Sequence, residues 1–143
     1  MKSIIEPAVE SPRLVKLAFL MVLDFCIFPV LLWLCYAIRQ FDLGAEVVPN
    51  LAFGSVWASV IAVVSLFIFG VYRFIVRTYS ELFMVKLGLG TSLTVAGLYG
   101  LAYFTDAFIP TSIPLMFGFL MFAWIWFSRG FIRFIVRSYL QAD

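Results

Sequence analysis

Histidine is absent from this chain of 143 residues, cysteine occurs only twice, and charged residues make up just 13% of it. Each scarcity excludes something. With no histidine, and no cluster of carboxylates and thiols at metal-ligand spacing, a metal site is not expected. No nucleophile with a partnering base is visible, so no catalytic residue and no cofactor-binding residue is assigned to the chain itself. Cys26 and Cys35 lie too far apart along one expected helix for a disulfide, and read as small buried hydrophobes. The run Gly88-Leu89-Gly90-Thr91-Ser92-Leu93 lacks a third glycine and a preceding strand, so it is not a phosphate-cradling loop. A soluble domain carries about a quarter of its residues as charges and about half as apolar groups. Here 64% are hydrophobic, which points to an integral membrane protein and leaves no room for a soluble catalytic domain.

The apolar residues fall into four runs, each near the roughly 20 residues that cross a bilayer as a helix. They cover about 14–38, 51–72, 82–104 and 113–131. Residues 1–13 form a short polar segment, and 132–143 a basic helix end. The first run is longer than a signal-peptide core and follows no small-residue cleavage pattern, so it reads as a retained signal-anchor span. Asp42, Gly44, Glu46 and Pro49 mark a loop after it. Thr78-Tyr79-Ser80-Glu81 has the spacing of a capping box that restarts a helix, and Pro114 suits the first turn of the fourth. The expected fold is therefore all-α, a four-helix membrane bundle.

Orientation follows from the cations. Lys2, Arg13 and Lys16 open the first span, Arg73, Arg77 and Lys86 separate the second from the third, and Arg129, Arg133 and Arg137 end the fourth. The other two connections hold Arg39 with Asp42, Glu46 and Asp106. Four spans put the basic clusters on one side, so both termini are expected in the cytoplasm. Interface aromatics fit the same picture, with Trp33, Tyr36, Trp57, Tyr99 and Tyr103 toward the outside and Tyr72, Tyr79 and Tyr139 toward the inside. Nothing in this pattern calls for a nucleic-acid partner; the bilayer is the partner it implies.

Three features carry what polar chemistry there is. Asp24 lies about 12 Å beyond the basic start of its helix. An ionised aspartate there costs on the order of 3 kcal/mol, so it is expected to face other helices and to pair with Arg129. That pair is either a structural clamp or part of a proton or substrate relay. The phrases Arg73-Phe74-Ile75-Val76-Arg77-Thr78-Tyr79 and Arg133-Phe134-Ile135-Val136-Arg137-Ser138-Tyr139 differ by one residue and place arginines four apart, on one face of a helix. They snorkel to the headgroups or hold a lipid phosphate in their forks. Finally, Gly54, Ala58 and Ala62, and Gly88, Ser92, Ala96 and Gly100, recur every fourth residue; the second and third spans are predicted to pack along these faces.

Taken together, Asp24 in a first span ending near Arg39, then Phe69-Gly70-Val71-Tyr72-Arg73 with Arg77, Ile109-Pro110-Thr111-Ser112-Ile113-Pro114, and Ser128-Arg129 with Arg133 and Arg137 resemble a known module. It is the N-terminal four-helix membrane module of bacterial polysaccharide-biosynthesis proteins of the CapD type. These are membrane-bound nucleotide-sugar dehydratases and epimerases, typically UDP-N-acetylglucosamine 4,6-dehydratases. The resemblance covers Arg13 to Tyr139. It implies a multi-pass protein of the bacterial inner membrane that anchors a cytosolic Rossmann-type domain or subunit, and works beside enzymes of the polyprenyl-phosphate pathway. NAD(P) would belong to that domain, whose residues have no counterpart here. Two other readings stay open: the amino-terminal module of a polyprenyl-phosphate sugar-1-phosphate transferase, and a self-contained, oligomeric four-helix transporter or lipid-carrier flippase that uses Asp24.

Overall fold

The structure, a computed structural model, describes residues 13–40, 48–74, 81–105 and 111–141. Its elements there are helical: α1 (Arg13–Gln40), α2 (Val48–Ile68), a 3-10 turn (Val71–Phe74), α3 (Glu81–Thr105) and α4 (Ser112–Gln141). Three contain stretches long and apolar enough to cross a membrane, Leu14–Arg39, Glu81–Phe104 and Ser112–Ile135. The apolar stretch of α2, Ala52–Ile68, is shorter, but the whole helix of 21 residues falls within the spanning range of about 17–25.

The helices form a ring in which α1 meets α2, α2 meets α3, α3 meets α4, and α4 returns to α1. Cross-helix pairs fix an antiparallel order. Asp24 meets Arg129 near the start of α1 and the end of α4, while the Arg39 guanidinium donates to Ser112 Oγ where α1 ends and α4 begins. Tyr99 Oη donates to the Thr111 carbonyl at 2.5 Å, tying α3 to the same end of α4. The core is apolar and shared by all four helices, with Phe28 and Phe117 edge-to-face at 6.1 Å between centroids. The outside is more apolar still: Phe119 is 76% exposed and Phe104 85%, whereas Asp24 is wholly buried. That inversion of the soluble pattern suits a bundle surrounded by lipid.

Local sequence sets where the helices stop. The second span was expected to reach residue 72, but α2 ends at Ile68 because Gly70 adopts φ +69°. Glycine enters this left-handed region without the Cβ clash other residues meet. The Gly70 N–H donates to the Phe67 carbonyl at 3.0 Å, and the Gly70 carbonyl accepts from the Arg73 N–H at 3.0 Å, which starts the 3-10 turn. α3 begins at Glu81, an acidic residue suited to the positive end of the helix dipole. Pro114 sits in the first turn of α4, where no intrahelical donor is required. α4 then runs to Gln141, well beyond the residue 131 at which the fourth span was expected to end. Residues 1–12, the loop with Asp42 and Glu46, the capping positions Thr78 to Ser80, and Asp106 lie outside the described residues.

One packing expectation is overturned. Ala58 and Ala62 are fully buried on α2, but Ser92 and Ala96 are exposed, and a Cβ at Gly54, Gly88 or Gly100 would meet nothing within 4 Å. α3 instead meets α2 through Gly90 and Gly97. A Cβ at Gly97 would lie 2.8 Å from Ile61 Cγ2, and one at Gly90 3.1 Å from Leu66 Cδ2. With the buried Thr94 these residues form an i, i+4, i+7 stripe. On the α4 side, a Cβ at Gly118 would collide with Val95 Cγ2. Ser92 and Ala96 border a lipid-facing groove of about 490 Å³ between α3 and α4, with Tyr99, Leu115, Phe119 and Phe122. The predicted stripe lost because small residues at fourfold spacing occur on two faces of α3, and lipid is as apolar as a helix neighbour.

Candidate functional site: a buried ion pair below a basic end

The buried face of α1 reads Leu20, Asp24, Phe28, Leu32, Cys35 and Tyr36. Steps of three and four put all six on one side of the helix, so the carboxylate points into the bundle. On α4, Phe117, Met121, Ile125, Ser128 and Arg129 follow the same rule and face it. Arg129 Nη2 donates to Asp24 Oδ2 at 2.8 Å, with 6% of the arginine side chain and none of the aspartate exposed. The two residues that the sequence placed together therefore meet, linking the first helix to the last.

Two aromatic groups complete the cluster. Trp124 Nε1 donates to the other carboxylate oxygen, Oδ1, over a long 3.4 Å. The Arg129 guanidinium lies over the Tyr72 ring, 5.6 Å from its centroid, a cation–π contact of about 2 kcal/mol when desolvated. Tyr72 was expected at the interface; it is 1% exposed, because Gly70 folds the 3-10 turn back under the bundle. Tyr36, also expected there, is buried on the inner face of α1. The hydroxyl Oη of Tyr72 and the Nε and Nη1 of Arg129 are buried with no hydrogen-bond partner. Each such group costs about 1–3 kcal/mol if left unmet.

Above the cluster lies a basic rim. Antiparallel packing brings the start of α1, the 3-10 turn, the start of α3 and the end of α4 to one end of the bundle. There Arg73, Arg133 and Arg137 are exposed, and Lys16 and Lys86 half-buried. Arg77 lies outside the described residues. The two copies of the repeated phrase are not equivalent. The second continues α4 as regular helix, so Arg133 and Arg137 share a face, whereas the first opens in the 3-10 turn that follows Gly70.

The remaining interior hydroxyls are spent locally. Ser59, Ser65, Thr91 and Thr94 each donate to the carbonyl four residues earlier on their own helix, at 2.7–3.0 Å. Sequence reasoning missed Trp124 and Tyr72 as members of the cluster. Trp124 was legible in principle, being one turn and a residue before Arg129 on the same face; Tyr72 required the reversal at Gly70. Comparison with protein-family models, curated proteins and solved structures finds no match to this chain.

Proposed function

We propose that this chain is the membrane-anchoring module of a nucleotide-sugar dehydratase or epimerase in bacterial cell-surface polysaccharide synthesis, set in the inner membrane with its basic end in the cytoplasm. The observation that carries this reading over a transporter is how the interior polar groups are used. Four hydroxyls serve their own backbones, and the one buried acid among the described residues is tied to Arg129. No row of free polar groups is left among them to conduct a solute or proton from end to end. Such a core favours rigidity, and α4 leaves it as a straight helix carrying Arg133 and Arg137 to the surface. The resemblance described above supplies the class of enzyme. The catalytic residues and the nicotinamide cofactor belong, in this reading, to the attached domain or subunit.

The mechanism is placement. Holding a nucleotide-sugar enzyme at the leaflet where lipid-linked sugars are assembled raises its effective concentration beside membrane-bound partners. A polyprenyl-phosphate sugar-1-phosphate transferase module would use the same geometry for a different attached enzyme. The test is to express the enzyme with and without residues 1–143. The shortened form is expected to become soluble and polysaccharide output to fall; undiminished output from the soluble form refutes the anchoring role. Proton-dependent transport by the purified chain, lost on Asp24→Asn, would establish the transporter instead.

A further inference from the structure

The donors around Arg129 exceed the acceptors supplied to them. Asp24 occupies Nη2, while Nε, Nη1 and the Tyr72 hydroxyl, on side chains that are 93% and 99% buried, have no hydrogen-bond partner. The charge balance points the same way. Among the described side chains at this end there are six cations, Lys16, Arg73, Lys86, Arg129, Arg133 and Arg137, against the carboxylates Asp24 and Glu81. Pairing Asp24 with Arg129 therefore leaves the end strongly positive.

We propose that Arg129 and Tyr72 form a binding site for a phosphate group, that of an anionic phospholipid headgroup in the leaflet at the basic end. The depth suits a lipid. Arg133 lies one turn, about 6 Å, beyond Arg129 along α4, and Arg73 directly follows Tyr72, so exposed arginines mark the approach to the buried donors. The chemistry suits phosphate. A guanidinium is a preferred partner of phosphate oxygens, and a tetrahedral group offers several oxygens to donors that do not converge on one point. A single water serves such donors less well and leaves the excess positive charge in place. The inference rests on the reading of the chain as a membrane bundle and not on what it anchors, so it is tested on the chain alone.

The full chain, purified in a zwitterionic detergent, is titrated with short-chain phosphatidylglycerol, phosphatidylcholine and inorganic phosphate, and retained ligand is read by mass spectrometry of the intact complex. Phosphatidylglycerol is expected to bind in preference to phosphatidylcholine. Tyr72→Phe, which removes one hydroxyl and no charge, is expected to weaken it about tenfold, the value of one hydrogen bond to a charged group. Because that variant leaves the net charge alone, such a loss cannot come from general attraction to the basic rim. Arg129→Lys, which keeps the cation but not the fork, is expected to weaken binding further, and Tyr72→Phe decides the matter if the lysine variant does not fold. Inorganic phosphate binding with the same Tyr72 dependence, in place of the lipid, would retain the phosphate site and assign it to the free ion. Equal retention of the two lipids, or binding unchanged in Tyr72→Phe, overturns the proposal.

Discussion

Replacing Asp24 by asparagine leaves Arg129 charged, nearly buried and without a counterion. The amide oxygen can still accept from Nη2, so the 2.8 Å contact survives as a weaker bond, but the charge is no longer matched. Breaking a buried pair by removing one partner costs about 3–5 kcal/mol. The surviving hydrogen bond and the cation–π contact with Tyr72 place the expected loss near the lower figure. Removing both charges behaves differently, because a buried pair exchanged for apolar side chains of similar volume is often neutral or stabilising. Asp24→Leu with Arg129→Met is therefore expected to recover most of what Asp24→Asn loses. The assay is unfolding in mixed micelles by titration with a denaturing detergent, followed by helical circular dichroism, with all three chains at one lipid composition. A loss below about 0.5 kcal/mol for Asp24→Asn would show that Arg129 is solvated despite its burial. A double variant as unstable as the single one would show that Asp24 acts by something other than charge pairing.

Two further perturbations separate the packing faces and the helix stop. Gly97→Val is expected to cost about 1–3 kcal/mol through overpacking against Ile61. Most of that should return with Ile61→Ala, whereas Ala96→Val on the exposed side should stay within about 0.5 kcal/mol in the same unfolding assay. Equal effects at 96 and 97 would put the α2 contact where the fourfold stripe suggested. Gly70→Ala is expected to cost about 1–2 kcal/mol because φ +69° is left-handed, and to shift the thermal midpoint without loss of helix content. An unchanged midpoint would mean the turn reforms in another conformation.

The helices were legible because a run of apolar residues near bilayer length has one low-energy form in lipid, with every backbone group bonded within the helix. Asp24 and Arg129 were legible as partners because an intramembrane charge demands one. What the sequence could not show was which helix faces meet. In water, burial separates inside from outside; in lipid both sides of α3 are apolar, and the stripe Gly88, Ser92, Ala96 and Gly100 competes on equal terms with Gly90, Thr94 and Gly97. The repeated arginine phrase misled for a local reason. Seven nearly identical residues follow Gly70 in one copy and a helical segment in the other, and a single positive φ makes the first a 3-10 turn and the second a helix.

By itself, then, the sequence determined a helical membrane bundle with one buried acid seeking a cation and its basic residues gathered at one end. Those facts depend on composition and spacing along the chain, which solvation reads directly. Only the tertiary structure decided that Gly90 and Gly97 form the tight seam, that Tyr72 lies under the Arg129 guanidinium, and that three donors stay unmet beside the ion pair. Each of these depends on how one helix is rotated against another, a choice set by shape and hydrogen-bond geometry once lipid has removed the hydrophobic difference between faces.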